Sequence, residues 1–227
     1  MGRKIVIGDI HGCLKTFECL LHKLSLEADD QLFLVGDYVD RGPDSKGVLD
    51  KVMSLQTEAF ESVVLMGNHE QLLVNDYKCE TEKGWFDMAS PELLKSFNLP
   101  NLKTLPVAYP KFCNALPLYY EDDELVIVHA GFNFEMDDPL SDEKSMLWIR
   151  DWYKNLDKAW LGERILVHGH TPRTRTEIRK QFSMLDKLPV LNVDCGACFP
   201  EGKSHGLGYL CAYDHTNRRL YFEPNAE

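Results

Sequence analysis

The chain has 227 residues, of which 44% are hydrophobic and 27% charged, a composition that suits one large soluble domain. Its 36 acidic residues outnumber its 25 basic ones for a formal charge of −11, which argues against a nucleic-acid partner or an anionic membrane surface. No apolar run reaches the ~18 residues of a membrane span, and the opening MGRKIVIGDIHG is too briefly apolar for an export signal, so the expected place is the cytoplasm. Gly2 does not open a myristoylation motif, because position 6 is Val6 where that motif needs Ser or Thr.

In chain order, one pattern recurs. Lys4-Ile5-Val6-Ile7 reads as a buried strand and ends in Gly8-Asp9-Ile10-His11-Gly12. Leu14, Phe17, Leu20, Leu21 and Leu24 then recur at helical spacing. Leu32 to Val35 is a second strand, ending in Gly36-Asp37-Tyr38-Val39-Asp40-Arg41-Gly42, and Val48, Leu49, Val52 and Met53 mark a second helix. Val63 to Met66 runs into Gly67-Asn68-His69-Glu70. Residues 71–122, with Trp85, Phe86, Leu93, Leu94, Phe97 and several prolines, read as a mostly helical cover. Leu125 to Val128 ends in His129-Ala130-Gly131, and a second helical, aromatic cover follows at 132–162 with Trp148, Trp152, Tyr153 and Trp160. Ile165 to Val167 ends in His168-Gly169-His170. The tail predicts strands at Val190–Val193, Tyr209–Tyr213 and Arg219–Phe222, with Asn217 in a hairpin turn.

Strands alternating with helices imply an α/β domain, and in such layers sites form beyond the carboxyl ends of the strands. Five polar clusters at five strand ends therefore converge. They are rich in Asp, Asn and His, donors that suit manganese, iron or zinc. Two such ions about 3.5–4 Å apart need a carboxylate that touches both.

The motifs GDIHG at 8–12, GDYVDRG at 36–42, GNHE at 67–70, HAG at 129–131 and GHTP at 169–172 resemble those of the phosphoprotein phosphatase branch of the calcineurin-like metallophosphoesterases. LNVDCGA at 191–197 resembles the last motif of the small bacterial and phage members. The resemblance implies an α/β fold with a layered β-sandwich core flanked by helices, in one domain over residues 1–227. It implies two divalent ions, manganese first with iron or zinc as alternatives. Asp9 and His11 would hold the first ion, Asp37 would bridge, and Asn68, His129 and His170 would hold the second. His69 would protonate the leaving oxygen, oriented by Asp40, after attack of a hydroxide held between the metals. Arg41 would grip the phosphate, and Arg150 in Trp148-Ile149-Arg150 is the expected second arginine. The chemistry is consistent: cations neutralise a phosphate and acidify water, an arginine fork matches phosphate oxygens, and an alkoxide needs a proton to leave.

Blander roles compete at some positions. Arg150 also suits a surface ion pair. His168 competes with His170, and the GHTP match selects His170, leaving His168 as a neighbour facing away on the strand or as a group behind the ligands. Cys195 and Cys198 form a C-x-x-C with no second pair to complete a zinc site, so the seven cysteines are expected as free thiols.

The function expected from these residues is hydrolysis of phosphoserine and phosphothreonine in a protein or peptide. Asp40 decides this reading. A serine alkoxide needs a strong positioned acid, which Asp40 behind His69 supplies, whereas a nucleoside diphosphate leaves with little help. A symmetrical dinucleoside tetraphosphate hydrolase is the alternative, and a non-catalytic phosphate-binding module the second alternative.

Overall fold

The computed structural model describes residues 2–78, 91–200 and 205–227. In chain order the elements are β1 (Lys4–Ile7), α1 (Leu14–Leu24), β2 (Gln31–Leu34), α2 (Ser45–Leu55), β3 (Glu61–Val64), α3 (Asn68–Lys78), α4 (Pro91–Ser96), α5 (Ala108–Asn114), β4 (Tyr119–Glu121), β5 (Leu125–Val128), α6 (Glu143–Trp148), α7 (Lys158–Leu161), β6 (Ile165–His168), α8 (Arg175–Phe182), β7 (Val190–Asn192), β8 (Tyr209–Asp214) and β9 (Arg219–Pro224). They build two mixed sheets, a five-stranded one in the order β3-β2-β1-β8-β9 and a four-stranded one in the order β4-β5-β6-β7. β1, β2 and β3 run parallel, as do β5, β6 and β7. β8 joins β1 antiparallel, and β4 joins β5 antiparallel.

Side chains on a strand alternate between faces, so an unbroken apolar run means that both faces are covered. Ile5, Ile7, Leu32 and Leu34 point to α1 and α2, packing on Phe17, Leu20, Val48 and Val52. Their neighbours Val6, Phe33 and Val35 point the other way, onto Leu125, Ile127, Val167 and Leu191 of the second sheet. On that sheet's far side, Val126, Val128, Leu166 and Val190 pack on Phe132, Met146, Trp152 and Leu161. The result is a mixed α/β fold: two sheets face to face, with helices on both outer faces. The five strand-end clusters lie at one rim of this sandwich because β1, β2, β3, β5 and β6 all deliver their carboxyl ends there.

Three details depart from the sequence reading. β3 lies two residues earlier than the apolar run Val63–Met66, and beyond it the Met66 N–H donates to the Pro117 carbonyl at 2.9 Å. The cover at 71–122 contributes β4, whose Tyr-Tyr-Glu sequence has no strand-like periodicity and which forms by pairing with β5. α8 buries only Ile178, too little apolar surface to show as a periodic stripe. Trp85 and Phe86 of the first cover, and Cys79, lie outside the described residues.

Candidate metal centre

Asp9 and His11 follow β1, Asp37 to Arg41 follow β2, Asn68 and His69 begin α3, His129 follows β5 and His170 follows β6. Holding five chain segments this close strains the backbone. His11, Asp37, Asp40, Arg41 and His170 have φ between 48° and 68°, a left-handed region that side chains with a Cβ occupy at a cost of about 1–2 kcal/mol. Two glycines permit the closest approaches. A Cβ on Gly67 would lie 2.3 Å from the Asp37 Oδ1, and one on Gly169 would lie 2.0 Å from the Asp9 Oδ1.

The donor atoms face one another. The His129 Nδ1 donates to the Val35 carbonyl at 3.1 Å, which leaves Nε2 as a bare acceptor in the neutral ring. That Nε2 lies 2.9 Å from the Asn68 Oδ1, 3.2 Å from the His170 Nδ1 and 3.5 Å from the Asp37 Oδ1. The His170 Nδ1 is also 2.9 Å from the Asn68 Oδ1. His11 repeats the arrangement: its Nδ1 donates to the Val39 carbonyl at 2.9 Å, and its Nε2 stands 3.4 Å from the Asp37 Oδ2. The His11 Nε2 has no hydrogen-bond partner. Asp37 thus turns one oxygen to His11 and the other to His129.

Burial disfavours the charged form of the rings. It pushes His11 down to about 4 and His170 down to about 3, and it lowers His129. Acidic groups accumulate among these lone pairs. Asp9 is raised well above the usual carboxylate range by burial and then by Asp194 and Asp37. Burial also pushes Asp194 up to about 7, and its Oδ2 has no partner. For Asp37 burial acts upward, but the imidazoles of His129, His11 and His69 outweigh it and hold the carboxyl below its ordinary value. Bare acceptors facing acceptors, and carboxylates buried together, are costly unless cations lie between them. Divalent metal ions fit this donor set. Asp37, His129 and His170 offer donor atoms within 4.8 Å of one another, and so do His11, Asp37 and His69.

The second group holds His69 where the sequence reading expects Asp9. Asp9 is in the cluster, but its two oxygens accept the His170 N–H at 3.2 and 3.0 Å. His69 is held at both ends. Its Nδ1 is 2.6 Å from the Asp40 Oδ2, and its Nε2 is 3.3 Å from an Arg41 nitrogen. Burial alone would lower the His69 pKa, yet the bond to Asp40 and the charge of Asp37 raise it. Arg150 lies on the His170 side, its guanidinium donating to the Thr171 Oγ1 at 2.9 Å and the His170 carbonyl at 3.3 Å. His168 turns away from the cluster, its Nε2 bonded to the Tyr153 hydroxyl and its ring against Trp152. Cys195 and Cys198 are free thiols, as are Cys13, Cys19, Cys113 and Cys211.

Two residues escape the sequence reading. Glu70, fully buried, accepts from the backbone N–H groups of Asp37 at 2.8 Å, Tyr38 at 2.8 Å and Gly67 at 3.0 Å, and so ties the second motif to the third. Asp194 completes the carboxylate group. Both lie inside quoted motifs, GNHE and LNVDCGA, and that membership was the available signal.

A family model described as calcineurin-like phosphoesterase matches residues 2–195. Among curated proteins, the symmetrical bis(5'-nucleosyl)-tetraphosphatase of Wigglesworthia glossinidia brevipalpis is 31% identical over 147 residues, 62% of this chain and 50% of that protein. The chain thus spans about half the length of that relative. The asymmetrical bis(5'-nucleosyl)-tetraphosphatase PrpE of Anoxybacillus flavithermus is 28% identical over 197 residues, 74% of this chain and 78% of that protein. A solved structure provisionally assigned as a diadenosine tetraphosphatase superposes with a TM-score of 0.68 at 21% identity, covering 99% of this chain and 94% of that one, a likeness of fold.

These relatives correct the expectation of a phosphoserine and phosphothreonine phosphatase with a phosphoprotein partner. That expectation rested on Asp40 behind His69. The pair exists, at 2.6 Å, but it does not discriminate between substrates. An imidazolium stabilises any oxygen that gains charge as its bond to phosphorus breaks, a diphosphate's included.

Proposed function

The chain belongs to the calcineurin-like phosphoesterase family, and from that membership we propose that it hydrolyses dinucleoside tetraphosphates, cutting the central bridge to release two nucleoside diphosphates. The observation that carries the phosphoesterase chemistry is the Asp37 carboxylate. One oxygen faces His11 at 3.4 Å and the other faces His129 at 3.5 Å, the posture of a ligand shared by two cations. The substrate class follows the names of the relatives.

In this reading Asp9, His11 and Asp37 hold one divalent ion, and Asp37, Asn68, His129 and His170 hold the other. Mixed oxygen and imidazole donors favour manganese, with iron and zinc as alternatives. When bound, the pair supplies charge neutralisation and hydroxide near neutral pH. Arg41 beside His69 and Arg150 beside His170 would present guanidinium donors to phosphate oxygens. In the arrangement described, Arg41 donates to the His69 Nε2. A substrate phosphate that draws Arg41 away frees Nε2 to carry a proton towards the departing diphosphate, while Asp40 stabilises the imidazolium from Nδ1. Glu70 keeps Asp37 in its left-handed turn and so sets the angle of the shared carboxylate.

The test is hydrolysis of diadenosine tetraphosphate with manganese, its products resolved by chromatography. Adenosine diphosphate as sole product is expected. A mixture of mono- and triphosphate would move the cut to the position named for the Anoxybacillus relative. No turnover by a chain that still cleaves an aryl phosphate would refute the substrate class and leave the metal centre standing.

A further inference from the structure

Beside the metal centre, on the His170 side, lies a cleft of about 250 Å³. Arg150, Lys154 and Arg173 line it with Thr171, Tyr153 and His168. Three cations there oppose one lining carboxylate, Asp151, in a chain whose formal charge is −11. Among the described residues, the Arg173 guanidinium forms no ion pair, and its buried Nε has no hydrogen-bond partner. Lys154 likewise forms no ion pair among the described residues. An arginine held against a protein surface with an unmet buried donor is a group prepared for an external acceptor.

The cleft adjoins the centre through Arg150 and Thr171, which line it next to His170. Arg150 stands at the junction, anchored on the Thr171 Oγ1 and the His170 carbonyl. The Arg173 N–H donates to the Asp194 carbonyl at 2.9 Å, which ties the start of that residue to the buried carboxylate group. Arg150 thus stands between the metal ligand His170 and the two cations Lys154 and Arg173.

We propose that this cleft is the subsite for the nucleoside diphosphate half whose phosphorus is attacked, with Arg173 and Lys154 gripping its second phosphate while the other half departs on the His69 side. The inference rests on the tetraphosphatase reading for the identity of the ligand. It separates two duties: Arg41 and Arg150 meet the phosphate under attack, and Arg173 and Lys154 meet the next phosphate of the same half. A phosphate monoester fills the first position and leaves the second empty.

The test uses the manganese-loaded full chain with an aryl phosphate as reporter substrate, and adenosine diphosphate and inorganic phosphate as competing inhibitors. Arg173→Met and Lys154→Met keep the apolar stem and remove the charge. Each is expected to raise the inhibition constant of adenosine diphosphate about tenfold or more, the scale of a charge-assisted contact, and that of inorganic phosphate less than about threefold. KM for diadenosine tetraphosphate rises in parallel with the diphosphate constant. Equal weakening of both inhibitors would overturn the proposal, because the residues would then serve the reacting phosphate or the fold. Unchanged inhibition in both variants, with unfolding temperatures equal to the parent, would overturn it as well. If the parent fails to cleave the tetraphosphate but the diphosphate still binds through Arg173 and Lys154, the assigned function falls and the diphosphate subsite stands.

Discussion

The two rims of the sandwich treat charge in opposite ways. At the rim where the parallel strands begin, charges are paired, and among Arg3, Lys4, Asp30, Asp122 and Glu124 only Asp30 is buried. Arg3 meets Asp30 through a fork, and Lys4 meets both Asp122 and Glu124. The Gln31 side chain bonds Glu61 across β2 and β3. At the rim where those strands end, Asp9, His11, Asp37, Asp194 and His170 are buried, and the His11 Nε2, His170 Nε2 and Asp194 Oδ2 have no partner. Paired charges at a surface contribute about 0–1 kcal/mol and are replaceable. Buried donors without partners cost stability, so a fold retains them for what they bind. The comparison therefore locates function at one rim without reference to any relative.

Asp37→Asn breaks the contrast most severely. The amide keeps the shape but cannot serve as a shared anionic ligand. kcat/KM on diadenosine tetraphosphate should fall by at least ~1,000-fold, about 4 kcal/mol in transition-state terms. Steady-state kinetics at saturating manganese measure it, and a loss below tenfold would mean that Asp37 is a turn residue.

Glu70→Gln should come next. The amide retains one acceptor oxygen for four backbone N–H groups, so the loop carrying Asp37 loosens. A loss of ~100-fold in kcat is expected, together with about 1–3 kcal/mol of stability for a buried charge-assisted contact. Manganese titration separates this from a ligand role: added metal should partly restore Glu70→Gln and leave Asp37→Asn inactive.

Asp122→Asn, at the opposite rim, should be the smallest. Burial acts upward on Asp122, but its bonds to Lys4 and to the N–H groups of Glu124 and Leu125 bring it down to about 2. A carboxyl depressed in the folded state stabilises above its unfolded pKa of about 3.9, and loses that contribution as pH falls through about 4 to 2. The substitution should flatten that part of the acid-unfolding curve by less than about 1 kcal/mol and leave kcat unaltered. Altered turnover would show that the two rims are coupled.

Much of this contrast is legible in the residues. Short runs such as Lys4–Ile7 and Leu125–Val128 announce strands covered on both faces, and the polar residues after them can only lie at the rim. Asp37, Asn68, His129 and His170 are therefore readable before any coordinates. Glu70 and Asp194 are harder, because Glu70 acts on backbone N–H groups and Asp194 on a cluster that exists only after folding. β4 and α8 are invisible for a related reason: Tyr119 to Glu121 pairs only because β5 is adjacent, and α8 contributes one fully buried side chain. The substrate is the part misread. Asp40 speaks to how His69 is held, and the shape of the surrounding cleft, built from Arg150, Lys154 and Arg173, has no linear signature.

Metal analysis at saturation tests the account most directly, because the paired lone pairs around Asp37 are its centre. The wild-type chain should bind two divalent ions per molecule, and Asp37→Asn should retain no more than one at the same free manganese. One ion per wild-type chain, or two ions bound with undiminished affinity by Asp37→Asn, would contradict it.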